Sequence, residues 1–266
     1  VSIPFGGATY TYASQTLGTI KTGLSSAGRG LGLVPLDDGR WLVVFVNKTG
    51  ALTEINWGYS TDDGVSWSTP SVLAVASAVT LRAGLAGSVT VIAYSASSSP
   101  ALKLRALDLT TNTWGAEFDP SVTLQSDQFV GFAPRPDVNK FGVFYNTSSD
   151  SLVRLKIFSV TAAGVITLDS TETAYDPAPS GIAGLFGTYH SLATAGASWV
   201  VFVVTTGNDF YKVKRLASGT TWSSELVVNA STSGGAEVPI IPRCATTIPF
   251  DYWVSSNTLS FRRITF

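Results

Sequence analysis

Sulfur is nearly missing from this chain: 266 residues contain one cysteine, Cys244, and no methionine. A lone cysteine closes no internal disulfide, so Cys244 reads as a small buried residue and says nothing about compartment. Histidine is equally scarce. His190 stands alone, with no second His or Cys at ligand spacing, so neither a metal nor another cofactor is expected. Charged residues make up 13% of the chain and the formal net charge is −1. A nucleic-acid binder carries a basic surplus, and none is present. No apolar run approaches the roughly 18 residues of a membrane-spanning helix. The opening Val1-Ser2-Ile3-Pro4-Phe5 has neither a basic start nor a long apolar stretch, so no signal peptide is visible, although one removed earlier would leave no trace. A 3.6-residue apolar period is missing too, and 25 glycines and 12 prolines interrupt every stretch. The expected class is all-β.

What the chain does have is a repeat. Gly28-Arg29-Gly30-Leu31, Leu81-Arg82-Ala83-Gly84, Pro134-Arg135-Pro136-Asp137, Tyr189-His190-Ser191-Leu192 and Pro242-Arg243-Cys244-Ala245 recur at steps of 53, 53, 55 and 53. A period of this size marks stacked units that bury their faces on one another, as in propellers and solenoids. Each segment is followed by a turn and an apolar run, such as Trp41–Val46, Val89–Tyr94, Phe141–Tyr145, Trp199–Val204 and Tyr252–Val254. The runs are β-branched and aromatic, and continuous rather than alternating, so both faces should be buried. A polar turn and a third, alternating strand come next, as in Leu102–Leu107 and Leu152–Ile157, which suits a strand nearer the rim. Outer strands are headed by Trp67, Trp114 or Trp222.

These features predict one domain over 1–266, a five-bladed β-propeller of four-stranded antiparallel blades. The blades span about 22–75, 76–125, 126–176, 177–230 and 231–266 plus 1–21. The last unit lacks a fourth strand, and Gly7–Tyr12 matches Gly64–Trp67 and Gly219–Trp222 in spacing. The N-terminal residues are therefore expected to complete the C-terminal blade and close the ring, leaving only short protected edges.

Ser60-Thr61-Asp62-Asp63-Gly64-Val65-Ser66-Trp67 resembles the Asp-box, S-x-D-x-G-x-[ST]-W, of sialidases and many other propellers. Thr111–Trp114 and Ser218–Trp222 echo it. The resemblance implies a turn between the outer two strands, on the face away from the ligand site. Ser60, Asp62, Gly64 and Trp67 are accordingly read as structural. The chemistry is that of a tight turn: a carboxylate accepts from turn amides and Gly supplies positive φ.

In propellers the innermost strands line a central channel, and the loops joining blades, with the turns between second and third strands, build the ligand face. Those turns carry Asn47, Lys48, Asn146, Asp150, Asn208, Asp209, Ser256 and Asn257; the joining loops carry Asp127, Phe129, Asp176, Phe186 and Tyr189. Such groups suit sugar hydroxyls and pyranose faces, and equally suit ordinary polar turns. The sharper feature is the set Arg29, Arg82, Arg135, His190 and Arg243. Converging guanidiniums repel unless an anion, a carboxylate or carbonyls offset them. Asp137 and Glu237 are the clearest acids nearby. The expected ligand-binding residues are thus Arg29, Arg82, Arg135, His190, Arg243, Tyr189 and Asp137, holding a glycan or other anionic ligand in the central channel.

The sialidase resemblance further implies three arginines on a carboxylate, a Tyr nucleophile paired with Glu, and an Asp acid/base. This chain departs from it: five units instead of six, arginines that are copies of one repeat position, and no convincing Glu for Tyr189. Five-bladed glycosidases need two or three inner-strand carboxylates, and no spacing here singles out a pair. The sequence therefore points to a non-catalytic glycan-binding propeller with no catalytic residue, extracellular or on a virion surface. Other virion or cell-surface proteins are its expected partners, with no nucleic acid and no membrane insertion. The alternatives are a sialidase-like glycoside hydrolase and a purely structural ring.

Overall fold

The computed structural model describes residues 2–5, 8–11, 19–20, 30–49, 52–75, 78–96, 101–125, 130–135, 137–147, 152–176, 178, 182–192, 196–205, 210–218, 221–224, 226–229, 248–254 and 258–264. Every regular element among them is a strand. β1 (Ser2–Phe5) and β2 (Ala8–Thr11) form a hairpin. Four antiparallel sheets follow in chain order. The first is β3 (Leu31–Pro35), β4 (Trp41–Thr49), β5 (Leu52–Ser60) and β6 (Ser71–Val75). The second is β7 (Ala78–Ala86), β8 (Val89–Ala96), β9 (Ala101–Asp108) and β10 (Thr113–Trp114). The third is β11 (Val130–Arg135), β12 (Lys140–Asn146), β13 (Val153–Val160) and β14 (Ile166–Tyr175). The fourth is β15 (Ile182–Leu192), β16 (Gly196–Thr205), β17 (Phe210–Ser218) and β18 (Thr221–Trp222), with β19 (Leu226–Asn229) also on β17. β20 (Ile248–Val254) and β21 (Thr258–Ile264) make a two-stranded sheet.

The expected innermost, second and third strands all appear, within a few residues, in the first four units. The closing ladder does not: among the described residues β1 pairs with β2, β20 pairs with β21, and neither hairpin joins the other. The outer strands are the least regular part. Trp67 precedes β6 instead of heading it, and β14, the longest outer strand, has no Trp.

The continuous apolar runs are buried, and the second and third sheets are each sandwiched between two others. Leu42 to Val46, Val91 to Tyr94, Phe141 to Tyr145 except Gly142, and Val200 to Val203 are all buried core. Alternate residues feed separate cores. Val44, Val46 and Ile55 of the first sheet meet Leu81, Ile92 and Tyr94 of the second. Val91, Ala93 and Leu104 meet Phe132, Phe141 and Tyr145 of the third. Phe144 and Leu155 meet Leu185, Trp199 and Val201 of the fourth. Each large side chain so buried contributes about 1.5–3 kcal/mol, and ring pairs such as Phe141 on Phe158, stacked at 5.1 Å, add to it.

The sheets fan out from their innermost strands, which pack in the order β3, β7, β11, β15. Small residues permit this. A Cβ added at Gly30 would lie 2.5 Å from Leu81 Cβ, and at Gly32 2.4 Å from Ala83 Cβ. One added at Gly131 would lie 2.8 Å from the carbonyl carbon of Phe186 and 2.9 Å from the amide nitrogen of Gly187. The last contact is backbone against backbone, so no side chain can yield. Gly131→Ala should therefore cost about 1–3 kcal/mol, the range for overpacking a close-packed interior. Urea unfolding checks this, and an unchanged midpoint would show the two strands are not in contact.

Candidate functional site

In each sheet the turn from first to second strand and the turn from third to fourth lie at one end. Turns from second to third strand and the passages to the next sheet lie at the other. The regular interval of the basic residues does not survive as a level ring. Arg82 pairs with Ala93, four residues short of the last pair of its hairpin, Ala86 with Val89. Arg135 pairs with Lys140 and is itself the last pair, while His190 pairs with Ser198, two residues short of Leu192. At about 3.3 Å per residue, Arg135 sits some 13 Å nearer its turn than Arg82 does. The near-equal spacing in sequence is offset by unequal turns: two residues separate Ala86 from Val89, and four separate Arg135 from Lys140. Arg29, Arg243 and Glu237, the side chain of His190, and Asp127, Phe129, Asp150, Asn208, Asp209 and Asn257 lie outside the described residues.

Three of the expected residues do come together. The Arg135 guanidinium donates to both carboxylate oxygens of Asp137, at 3.2 and 2.7 Å. Its Cζ lies 4.1 Å from the ring centroid of Tyr189 on the neighbouring sheet, which in turn meets Trp199 edge-on at 4.8 Å. Burial pushes the Tyr189 hydroxyl up from its ordinary value, with Arg135 pulling the other way. A phenol that resists ionisation, and that bonds no carboxylate among the described residues, is a poor nucleophile. This cluster lies at the first-turn end and ties the third sheet to the fourth.

Arg82 is different. It lies mid-strand on β7, half-buried, and burial lowers its pKa, though a guanidinium stays charged throughout the working range. Its bond among the described residues is from Nη1 to the carbonyl of Leu81 at 3.1 Å, and no carboxylate of those residues pairs with it. Two residues away, Thr80 is 2% exposed and its Oγ1 has no partner among the described residues. A desolvated cation with no carboxylate partner among the described residues is receptive to an anion.

Other expected candidates serve the fold. Asn47 and Asn146 are buried at the ends of their strands, and Asn146 Nδ2 donates to the Leu152 carbonyl at 2.8 Å, bridging its turn. Phe186 covers Gly131, and Asp176 is exposed at the end of the third sheet. In the turn from Ser60 to Trp67, Ser66 donates its amide to Asp62 Oδ1 at 2.8 Å and its hydroxyl to Oδ2 at 2.6 Å. Ser60 Oγ donates to Asp62 Oδ1 and accepts from the Gly64 amide, and Gly64 has φ +85°. Trp67 is half-buried at the close of the turn. Asn112, at φ +53° in the echo of the next sheet, accepts from Arg40 and Tyr59 and so links the first sheet to the second.

One Tyr–Glu pair was not foreseen: the buried Tyr94 hydroxyl donates to Glu117. Lys103 Nζ lies 3.6 Å from Glu117 and 2.7 Å from Asp119. Burial first, then Glu117, raises the Tyr94 pKa far above its usual value, so the phenol keeps its proton and the pair works as a strut between β8 and the outer segment. No local signal marks it, because Tyr94 falls inside an apolar run and Glu117 in an irregular stretch. No group of three His, Cys, Asp or Glu able to hold a metal occurs among the described residues.

No family model matches the chain, and no curated protein does. Solved structures do. The chain is similar to the Hadza microbial sialidase Hz136 at 13% identity and TM-score 0.55, over 88% of this chain and 52% of that one. It is similar to an α-L-arabinofuranosidase, Arb93A, from Fusarium graminearum at 11% identity and TM-score 0.52, over 85% and 72%. It is similar to the NanB sialidase from Streptococcus pneumoniae at 10% identity and TM-score 0.51, over 96% and 64%. The fold is a sialidase-like β-propeller. The chain spans about half the length of Hz136 and under two thirds of NanB. All three neighbours are by name glycan-cleaving enzymes, and this overturns the expectation of a non-catalytic glycan-binding propeller in favour of its hydrolase alternative. Sequence reasoning went astray by weighing missing carboxylate spacings as if they excluded catalysis.

The box makes a prediction about acid stability. Bonds from Ser66, chiefly, hold the Asp62 carboxyl below its ordinary value of 3.8. A depressed carboxylate pKa stabilises the fold above the unfolded value and loses that contribution as pH falls through the folded one. Asp62→Asn should lower the unfolding temperature at pH 7 and fall less steeply than wild type below about pH 4. Parallel curves from pH 7 to 2 would show that the carboxylate does not hold the turn.

Proposed function

We propose that this chain is a sialidase-like glycoside hydrolase whose glycan substrate carries an anionic group, taken up beside Arg82. The observation that carries the reading is the half-buried Arg82 guanidinium on an innermost strand, unpaired with any described carboxylate. Desolvation strengthens its attraction for a carboxylate or sulfate, and the planar fork suits bidentate recognition. The likeness to glycan-cleaving propellers supports the reaction class. Hydrolysis needs a carboxyl acid and a partner base or nucleophile flanking the bond. Arg82 supplies orientation and charge, not proton transfer.

The reading takes the whole chain as a five-unit ring, its last sheet completed from the N-terminus. Four fanned sheets followed by the β20–β21 hairpin support it. So does Ile20, which comes within 3.3 Å of where a Gly58 Cβ would stand, on the face of the first sheet turned away from the second.

The test is release of fluorophore from aryl sialosides, uronides and arabinofuranosides. Turnover of an acidic glycoside is expected, with Arg82→Gln raising KM at least tenfold on it and changing KM on a neutral glycoside less than twofold. No turnover of any glycoside by the folded chain would overturn the hydrolase reading. Equal effects on acidic and neutral substrates would overturn the role of Arg82.

A further inference from the structure

Basic residues are unevenly spread along the chain. Nine of its 17 lysines and arginines lie on strands that follow the buried runs: two on β9, two on β13, three on β17 and two on β21. The acid on those strands is Asp108, the last residue of β9. Register places the first two pairs. Lys103 and Arg105 stand opposite Tyr94 and Ile92, which pack toward the first sheet. Arg154 and Lys156 stand opposite Tyr145 and Val143, which pack toward the second. Directly opposed residues share a face, so each pair faces the sheet before its own.

The two pairs are compensated differently. Lys103 is met by Asp119 at 2.7 Å and Glu117 at 3.6 Å. Lys156 donates to the Pro120 carbonyl at 2.8 Å and makes no ion pair with a carboxylate among the described residues. Burial, then the like charge of Arg154, lowers its pKa against a smaller pull from Asp119. The outer strand beside them offers hydroxyls: Thr171 opposite Lys156 and Thr173 opposite Arg154, both exposed. β14 runs for ten residues here, whereas β10 of the second sheet has two. Positive charge edged by exposed hydroxyls is the chemistry that holds a carboxylate or sulfate on a sugar. Arg82 opens onto the same gap, since it stands opposite Ala93, which packs toward the third sheet. A third strand lies about 10 Å out from a first strand, so one sugar ring does not touch both places.

We infer that the substrate is a polyanionic glycan, with one anionic group at Arg82 and another, farther along the sugar chain, on a ledge formed by Lys156, Thr171 and Thr173, where Arg154 adds its charge. The inference rests on the reading of Arg82 as the receiver of an acidic sugar, and not on cleavage. Two linked contacts bind more tightly than either alone.

Binding of defined sugars to the full chain tests it without turnover. The probes are galacturonic acid, oligogalacturonate, a sulfated oligosaccharide, a neutral dextran oligomer and a single-stranded oligonucleotide. At least one acidic oligomer should bind tenfold or more tightly than galacturonic acid, and which one does so tells carboxylate from sulfate. Lys156→Gln should bring the oligomer down to the affinity of the monosaccharide. Because Lys156 also holds Pro120, the deciding variant is Thr171→Glu, at an exposed position, which puts a carboxylate beside Lys156 as Asp119 stands beside Lys103. It should cost the oligomer at least tenfold, and Lys156→Arg should cost it less than threefold. Arg82→Gln should weaken monosaccharide and oligomer alike. Equal affinity for monosaccharide and oligomer, or an oligomer indifferent to Thr171→Glu, would overturn the ledge. An oligonucleotide bound as tightly as the oligomer would overturn the glycan as its occupant. Monosaccharide binding indifferent to Arg82→Gln would instead count against Arg82, and is read separately from the ledge.

Discussion

Where consecutive sheets meet along their innermost strands, the backbones come closer than an ordinary side chain allows. Gly30 and Gly32 face Leu81 and Ala83, and Gly131 faces the backbone of Phe186 and Gly187. The rest of the architecture depends on that approach. Sheets that nearly touch at one edge and diverge outward leave wedge-shaped gaps, filled by valine, leucine, isoleucine and aromatic side chains. The price in chain entropy for so many glycines is offset by three apolar cores that no single sheet could form alone.

The same geometry decides what a polar group on an inner strand can do. Near a first-turn end, as at Arg135, a cation finds the Asp137 carboxylate and the Tyr189 ring and becomes a tie between sheets. Partly exposed ties of this kind stabilise modestly, about 0–1 kcal/mol for the ion pair. Mid-strand, as at Arg82, the flanking positions are Leu81, Ala83 and Gly84, and the neighbouring strand offers no acid among the described residues. Two arginines at one repeat position thus have different electrostatic fates. Only the second keeps its charge available to a ligand.

Much of the fold was legible in the sequence for a simple reason. Burial on both faces forces continuous apolar runs, and each run from Trp41 to Trp199 became a central strand. The Asp-box was legible because its bonds are local, all within residues 60–66. The site was less legible. The interval from Arg29 to Arg243 suggested a ring, but register depends on where each hairpin turns, which the spacing does not encode. Long-range pairs such as Tyr94 with Glu117 and Asn112 with Arg40 left no trace in the sequence, because each involves a residue of an irregular segment far away in the chain. Function was read too narrowly, since carboxylates that converge in space need no fixed spacing along a chain.

The central claim is that an uncompensated guanidinium, held at the axis by small-residue strands, receives the anionic group of a glycan. A crystal structure of the chain with glucuronic acid tests it most directly. The account predicts the sugar carboxylate within hydrogen-bonding distance of Arg82, about 2.7–2.9 Å. A guanidinium already paired with a protein carboxylate, with the sugar bound elsewhere, would contradict it.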